Sequence, residues 1–168
     1  NYNNLKFILK LTPFKHTGIF PEQEFEWDLI VDSIKSADRK IKVLSLFGYT
    51  GASSIVALDA GAEVTHVDAS KPAISWFVEN LKLNKLENKN VRYIPEDSIK
   101  FVDREIKRGN YYDAVIMDPP VYGHGPHGEV WSFSKDFPIL LSKVSKLLSD
   151  NPLFIIVNAY AVSTSATT

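Results

Sequence analysis

Short apolar runs alternate along this chain with longer stretches in which apolar residues recur at helical spacing. Runs of branched apolar residues predict five strands, at residues 42–47, 63–68, 91–94, 113–118 and 153–160. Helical spacing predicts helices between them, at residues 50–61, 71–84, 97–109 and 136–149. Strands that alternate with helices are typical of a parallel sheet with helices on both faces. The pattern therefore predicts a doubly wound α/β fold.

Residues at the helix ends support these boundaries. Gly61 and Gly109 follow two of the helical stretches, at the position where a left-handed residue commonly ends a helix. Pro72 falls in the first turn of another stretch, where its missing N–H costs little. Asp97 suits the N-cap of the helix that follows it.

The first 40 residues precede this alternation, and we expect them to form an extension packed on the core. Within it "LKFILKL" alternates weakly and suggests a strand, the next stretch is loop-like, and residues 24–36 have an amphipathic helical pattern. We expect one domain with its core at residues 41–160 and a short tail at 161–168. The chain opens with Asn1 and stops soon after an apolar run, which suggests a piece of a longer protein.

Composition is that of an ordinary globular domain, with 45% hydrophobic and 23% charged residues among 168. No apolar run approaches the roughly 18 residues that a membrane-spanning helix needs, so we expect no membrane segment. The absence of cysteine excludes disulfides, thiolate metal sites and a cysteine nucleophile. It also fits a reducing compartment, so we expect a cytoplasmic protein, with an organellar location left open.

The net charge of -1 indicates no strong nucleic-acid-binding surface, although a local basic face remains open.

Candidate binding residues lie where predicted strands end, which is the edge at which doubly wound sheets bind ligands. The first strand leads into a turn with Gly48 and Gly51, which opens a helix and lets a ligand approach the backbone. Asp68 ends the second strand about 20 residues after Gly48, a position from which an acid binds ribose hydroxyls. Each feature alone is common, but together they predict a cofactor that contains adenosine.

The spacing of the turn distinguishes between cofactors. It lacks the G-x-G-x-x-G spacing that clears a pyrophosphate, and no Walker-type sequence follows. A dinucleotide is thereby disfavoured, whereas S-adenosylmethionine has no phosphates and needs only this looser turn. Asp97, just past the third strand, is then placed to meet the adenine amino group, with a plain helix N-cap as the alternative.

The sequence "MDPP" follows the fourth strand and predicts the place where chemistry occurs. Two prolines fix the backbone and remove two N–H donors, so the carboxylate of Asp118 and a nearby carbonyl of Asp118 or Pro119 are available to hold an amine. An amine aligned with a methyl sulfonium reacts by direct displacement, for which positioning supplies much of the acceleration. Tyr122 is placed to stack on an acceptor ring. The alternative is that "DPPVYG" is only a rigid turn.

The glycine-rich segment "GHGPHGEVW" comes next and carries His124 and His127. Their spacing of three allows a metal site, but no other ligand cluster lies nearby in the sequence, and we expect no metal. Contact with the acceptor, a general-base role for His124 and a plain loop all remain open. We interpret the segment as a loop on the acceptor side.

Four motifs in this order and spacing, "LFGYTGASS", "HVDAS", "PEDSIKFV" and "MDPPVYG", resemble those of class I S-adenosylmethionine-dependent methyltransferases. "FPEQ" and "DPPVYGHGPHGEVW" are similar to the branch that includes bacterial large-subunit rRNA methyltransferases. The resemblance covers nearly the whole chain and implies a Rossmann-like sheet of seven strands, with S-adenosylmethionine as the cofactor. The cofactor residues expected on this basis are Phe20, Gln23, Phe47, Gly48, Thr50, Gly51, Asp68, Ala69, Asp97, Ser98 and Asp118.

The chain departs from that branch at several points. Glu24, in "EQE", stands where an arginine is expected. No attached RNA-binding domain is recognisable, and we expect the last β-hairpin of the family's sheet to be missing. Methylation at C5 of cytosine is excluded for this chain, because that route needs a cysteine.

We therefore expect a methyltransferase that acts on a nitrogen of an RNA base, with rRNA as the implied substrate and Asp118, Pro119 and Tyr122 shaping the acceptor site. One alternative is a methyltransferase for small molecules or proteins, which the near-neutral charge favours. Another is a non-catalytic domain that binds the cofactor or a partner, which an open sheet edge after the last strand favours. The sequence does not indicate an oligomeric state.

Overall fold

The computed structural model describes residues 1–11, 17–125 and 128–159. Its strands are β1 (Lys42–Leu46), β2 (Glu63–Asp68), β3 (Val91–Pro95), β4 (Ala114–Met117), β5 (Tyr122–His124), β6 (Val130–Ser132) and β7 (Phe154–Val157). Five of them form a parallel sheet in the order β3-β2-β1-β4-β7. The chain runs outward from β1 to β3 and then returns to the other side of β1, so the strand order reverses between β1 and β4. The predicted α/β fold is confirmed.

Helices cover both faces of this sheet. The α-helices of the described residues are α1 (Glu24–Ser36), α2 (Ala52–Asp59), α3 (Lys71–Leu83), α4 (Ser98–Arg108) and α5 (Phe133–Val144). Helices α1, α2 and α3 bury Trp27, Ile55 and Phe77 on one face, and α4 and α5 bury Phe101 and Leu140 on the other. None of the helices described combines the length and the apolar character needed to cross a membrane.

The ends of α4 form as the sequence predicts, and the start of α5 does not. Asp97 caps α4, with its Oδ1 accepting from the N–H of Lys100 at 2.9 Å. Gly109 follows the helix in the left-handed conformation, at φ 67°. Helix α5 begins at Phe133 rather than at Asp136. The reason is that Oδ2 of Asp136 accepts, at 2.7 Å, from the N–H of Ser132, the N-cap residue.

The prediction of a strand in the N-terminal extension is wrong, because residues 6–11 form no regular element. The N–H of Lys6 donates to Oδ1 of Asn84, and the N–H of Ile8 donates to Oδ1 of Asn80, both at 2.9 Å. Side chains of α3 and of its C-cap residue therefore bond backbone groups that a strand would pair with another strand. Residues 5–11 and 17–20 together are named the N-terminal strap below.

The interpretation of "GHGPHGEVW" as a loop is also wrong in part. Strands β5 and β6 pair antiparallel as a hairpin in which Gly123 faces Trp131. Nε1 of Trp131 donates to the carbonyl of Pro120 at 2.7 Å. The ring centroids of Trp131 and Phe47 are 4.8 Å apart. The hairpin is thus anchored on the segment "DPP" and on the end of β1.

A pair of glycines tests how tightly the turn after β1 packs. Gly51 and Gly61 have φ of 85° and 105°, but a Cβ at Gly51 would overlap the ring of Phe77, whereas one at Gly61 would contact nothing. We expect Gly61→Ala to lower the free energy of unfolding by about 1 kcal/mol, the cost of positive φ. Gly51→Ala should cost roughly 2 kcal/mol more, as overpacking does. Urea denaturation followed by circular dichroism measures both, and equal losses would argue against this packing.

Candidate active site

A cleft opens at the carboxyl ends of β1 and β4, where the strand order reverses. Ligands of doubly wound sheets bind at such a point. The cleft is lined by residues 18–20, Gln23, residues 45–53, Asp118 and, after β7, Asn158. Of the residues predicted to bind a cofactor, it brings together Phe20, Gln23, Phe47, Gly48, Thr50, Gly51 and Asp118.

The turn after β1 has an uncommon backbone conformation. Phe47 and Tyr49 have φ of 54° and 50°, which costs a non-glycine residue on the order of 1 kcal/mol. Two bonds tie this turn to the neighbouring strand β2. The N–H of Gly48 donates to the carbonyl of Val67 at 3.0 Å, and the N–H of Tyr49 donates to Oδ2 of Asp68 at 2.9 Å.

These bonds pair N–H donors of the turn with oxygen atoms of the protein itself. The N–H of Gly51 likewise donates to the carbonyl of Gly48 at 2.9 Å. A turn that binds a pyrophosphate presents such N–H groups to phosphate oxygens instead. The geometry thus agrees with the sequence in disfavouring a dinucleotide.

The two glycines of the turn are needed for a reason that differs from the prediction. The sequence predicts that their missing side chains admit a ligand, but a Cβ at Gly48 would overlap His66, and one at Gly51 would overlap Phe77. These two rings stack with centroids 3.9 Å apart, and Nδ1 of His66 lies 2.9 Å from the hydroxyl of Ser54. Burial lowers the pKa of His66 to about 3, so an uncharged ring packs against the turn.

Asp68 lies beside the turn at the end of β2 and does not itself line the cleft. Its Oδ2 bonds the N–H of Tyr49, and its Oδ1 accepts from the N–H of Ser70 at 2.7 Å. Burial raises the pKa of Asp68, and the two backbone bonds oppose that shift. Each oxygen keeps a second lone pair with which to accept from a hydroxyl. Ala69, also predicted to bind the cofactor, is half-buried next to it.

Asp118 places a carboxylate in the cleft at the end of β4. Its Oδ2 accepts from Nε2 of Gln23 at 3.0 Å, across 95 positions of sequence. Burial raises the pKa of Asp118 to about 6; the bond from Gln23 opposes this shift, and the charges of Glu26 and Glu22 add to it. The contact joins the N-terminal extension to the sheet at Asp118, the residue predicted to hold the methyl acceptor.

Tyr122 lies near this carboxylate in sequence and is 74% exposed, whereas Pro119 is buried. Neither residue lines the cleft itself. The N–H of Phe133 donates to the carbonyl of Val121 at 3.0 Å, and Trp131 bonds the preceding proline. The backbone that carries Tyr122 is therefore held on both sides, and its ring faces solvent.

The hairpin segment carries the two histidines that the sequence singles out. His124 is exposed at the end of β5, and His127 lies outside the described residues. In residues 1–11, 17–125 and 128–159, no three His, Asp or Glu side chains group closely enough to hold a metal ion.

Asp97 and Ser98 do not line the cleft. Asp97 belongs to a separate depression near the end of β3, together with Lys100 and Glu129, which pair with each other. Its Oδ1 caps α4, the role that the alternative interpretation predicts. Ser98 is buried in the first turn of that helix.

Sequence reasoning missed two asparagines of the site. Asn158 follows β7, and its N–H donates to the carbonyl of Met117 at 2.9 Å, which brings it into the cleft. Asn80 is buried in α3 and bonds the turn after β1. An asparagine between Phe77 and Leu81 on an apolar helix face was a usable signal for Asn80, whereas no pattern marks Asn158.

A second cleft lies at the opposite edge of the sheet, between the amino ends of the strands and the end of α4. Its buried acid, Glu105, accepts from Tyr112, Asn110 and Arg108 at 2.7, 2.8 and 3.1 Å. It contains none of the residues that the sequence predicts for a site. Because ligands of such sheets bind at the carboxyl edge, we assign the active site to the first cleft.

Known proteins resemble this chain in sequence. A family model described as S-adenosylmethionine-dependent methyltransferase matches residues 1–165. Ribosomal RNA large subunit methyltransferase K/L of Shewanella sp. (strain MR-4) is 33% identical over 149 residues, which are 87% of this chain and 20% of that protein. The protein of the same name from Shewanella frigidimarina is 32% identical over 155 residues, 91% of this chain and 21% of its own. The chain thus spans about one fifth of the length of the curated relatives it matches.

Solved structures show the same fold. The SAM dependent methyltransferase from Agrobacterium tumefaciens has a TM-score of 0.93 and 46% identity, over 96% of this chain and 51% of that chain. Another structure, described as a methyltransferase complexed with SAH (S-adenosylhomocysteine), has a TM-score of 0.81 and 28% identity, over 95% of this chain and 41% of that chain.

Asp113 and Asp118 flank β4 with opposite pKa shifts, and this contrast can be measured. Burial raises the pKa of Asp113, but bonds from the N–H of Lys42, the hydroxyl of Ser149 and Arg39 outweigh burial and leave that pKa lowered. A raised pKa means that ionisation of Asp118 costs stability as pH rises through the folded pKa. The lowered pKa of Asp113 means that its ionised form stabilises the fold, and that this stability is lost as pH falls.

We therefore expect Asp118→Asn to gain stability relative to wild type between about pH 4 and pH 6, by up to about 3 kcal/mol, and to keep that gain at higher pH. Asp113→Asn is the control and should lose stability relative to wild type as pH rises. Urea unfolding at a series of pH values measures both differences. A difference between Asp118→Asn and wild type that does not change with pH would refute the assigned shift.

Proposed function

The chain belongs to the S-adenosylmethionine-dependent methyltransferases, whose family model matches residues 1–165, and we propose that it methylates a nitrogen of an RNA base. The observation that carries this proposal is the cleft in which Gln23 and Asp118 meet the turn after β1. The names of the relatives, which are ribosomal RNA methyltransferases, support RNA as the acceptor. Since the chain spans about one fifth of their length, the activity and substrate of the whole protein are part of the proposal.

The surface of the cleft fits S-adenosylmethionine. Helix α2 begins at Ala52, in the lining of the cleft, and its N-cap is Gly51, which has no side chain to cap the first N–H groups. Such a helix start attracts a carboxylate, here that of the methionine part. Phe20 and Phe47 add apolar surface, and Asp68 has lone pairs for the ribose hydroxyls. Asp97, whose Oδ1 caps α4, keeps its predicted role near the adenine amino group through Oδ2, and Ser98 stays a predicted cofactor residue, as part of this proposal.

The protein's own residues would hold the acceptor. The bound cofactor would supply an electrophilic methyl group on a sulfonium. The carboxylate of Asp118, ionised above its raised pKa, would accept from an N–H of the acceptor amine and turn the lone pair toward the methyl group. As the bond from nitrogen to the methyl carbon forms, the bond from that carbon to sulfur would break, and the proton of this N–H would pass to Asp118. Pro119 lacks an N–H that would compete for the carboxylate. Positioning of this kind accounts for much of the rate of a direct displacement.

Tyr122 supports a base as the acceptor. Its exposed ring is carried on a hairpin whose backbone Trp131 anchors, so it offers a flat surface at a defined place beside the cleft. Sequence-tolerant recognition of unpaired bases uses aromatic surfaces of this kind.

The cofactor part of the proposal can be tested by calorimetry. We expect S-adenosylhomocysteine to bind the wild type and to bind Asp68→Ala at least roughly tenfold more weakly, because hydrogen bonds to a charged group are lost. Asp59→Ala, at the exposed end of α2, is the control and should bind like the wild type. No binding by correctly folded wild-type protein would refute the cofactor assignment.

The acceptor part needs a transfer assay. The protein is incubated with methyl-labelled S-adenosylmethionine and separated fractions of a cell extract, and we expect label in the RNA fraction. Tyr122→Ala should lower kcat/KM for RNA roughly tenfold by removing a stacking surface, without changing cofactor affinity. Tyr111→Ala, 56% exposed at the opposite edge, should act like the wild type. Label found only in metabolites or proteins would end the RNA proposal and favour a small-molecule or protein methyltransferase.

A further inference from the structure

Asn80 is a fully buried polar residue of α3, with 0% exposure. Its Oδ1 accepts from the N–H of Ile8 in the N-terminal strap at 2.9 Å. Its Nδ2 donates to the carbonyl of Thr50, in the turn after β1, at 3.1 Å. A single side-chain amide therefore joins α3, the strap and the turn.

Thr50 is also held by the strap directly. Its hydroxyl donates to the carbonyl of Gly18. Gly18 in turn packs on Trp76 of α3, where a Cβ would overlap the indole, and Nε1 of Trp76 donates to the carbonyl of Ile8 at 3.1 Å. The strap, α3 and the turn thus form a closed ring of contacts around Thr50.

The turn requires this support because of its backbone conformation. Tyr49, directly before Thr50, has φ of 50°, and a residue in that region persists only where its surroundings hold it there. The strap carries Phe20, which lines the cleft together with Thr50. Loss of the amide of Asn80 would remove one bond to the turn and one to the strap, and so would loosen two walls of the cleft against each other.

We infer that Asn80 is a positioning residue for the cofactor, which fixes the turn and the strap against each other before the ligand binds. Asn80 does not line the cleft and acts through Thr50 and Ile8. The inference rests on the proposed function, since it assumes that S-adenosylmethionine binds in this cleft. Prior ordering of a site raises affinity because less conformational freedom is lost on binding.

Asn84, the C-cap residue that directly follows α3, provides a matched control. Its Oδ1 accepts from the N–H of Lys6, and its Nδ2 donates to the carbonyl of Lys6 at 2.7 Å. Among the described residues it bonds the strap and α3 but not the turn. Its replacement therefore loosens the strap without removing a bond to Thr50.

The experiment measures S-adenosylhomocysteine affinity by calorimetry for the whole chain and for Asn80→Leu and Asn84→Leu, with the thermal midpoint of each. Leucine has nearly the size of asparagine and lacks its donors and acceptors. We expect Asn80→Leu to raise Kd roughly tenfold, the effect of about one buried hydrogen bond. Asn84→Leu should leave Kd within about twofold of the wild type, even where its thermal midpoint falls as far as that of Asn80→Leu.

Asn80→Asp gives a readout that a purely structural role would not move. When protonated, its carboxyl donates to the carbonyl of Thr50 and still accepts from Ile8; when ionised, it places a negative oxygen against that carbonyl. Burial favours the protonated form, so ionisation occurs at higher pH than for an ordinary Asp. The ratio of its Kd to that of the wild type, which cancels the titration of native acids, should rise between about pH 6 and pH 9.

The possible outcomes separate the inference from the proposed function. Wild-type affinity in folded Asn80→Leu, or a ratio for Asn80→Asp that does not change with pH, would overturn the inference and leave the proposed function intact. Equal weakening in Asn84→Leu would also overturn it, because attachment of the strap alone would then set the affinity. A wild type that binds no S-adenosylhomocysteine would overturn the proposed function itself.

Discussion

The N–H of Tyr49 donates to the carboxylate of Asp68 at 2.9 Å, and the cleft is built around the turn that this bond holds. Strands β1 and β2 pair in parallel up to Leu46 and Val67, so Asp68 comes one residue past the last pair and reaches the turn. The bond helps to keep a left-handed conformation that the turn would not adopt alone. Because donors of the turn are used in this way, the cleft suits a cofactor without phosphates.

The opposite side of the cleft depends on residues that precede the sheet. Gln23 bonds Asp118, and the strap brings Phe20 to the turn. The buried carboxylate of Asp118 has its pKa raised to about 6, so its ionised form costs stability at neutral pH. In the proposed function, the same charge holds the amine of the acceptor. Under that proposal, function and stability oppose each other at this residue, as they often do in active sites.

Much of the sheet could be predicted, because buried strands and turn residues leave local signals. Strand β2 forms at Glu63–Asp68, where it is predicted, since branched residues there follow a helix-ending glycine. The positions of Gly48 and Asp118 in the cleft, and of Asp68 beside it, could be predicted because a parallel sheet brings strand ends together. Their contacts could not: the reason for Gly48 is the ring of His66, which only the packed structure places there.

The strap and the hairpin show what sequence patterns leave out. The strap is held by asparagine side chains 72 and 78 positions away, and such bonds leave no periodic signal in the sequence. Strands β5 and β6 have three residues each, too few for an alternation to be seen. The contacts of Trp131 with Phe47 and with a proline carbonyl likewise leave no pattern in the sequence.

The cofactor site is tested most directly by titrating isotopically labelled protein with S-adenosylhomocysteine and following its backbone amide resonances by NMR. Saturable shifts should fall on residues 47–53 and on Asp118, which line the cleft at the carboxyl edge. Resonances of residues 89–92 and 110–112, in the cleft at the opposite edge, should stay unchanged. Shifts concentrated at that opposite edge, or none in a folded protein, would contradict the assignment of the cofactor to this turn.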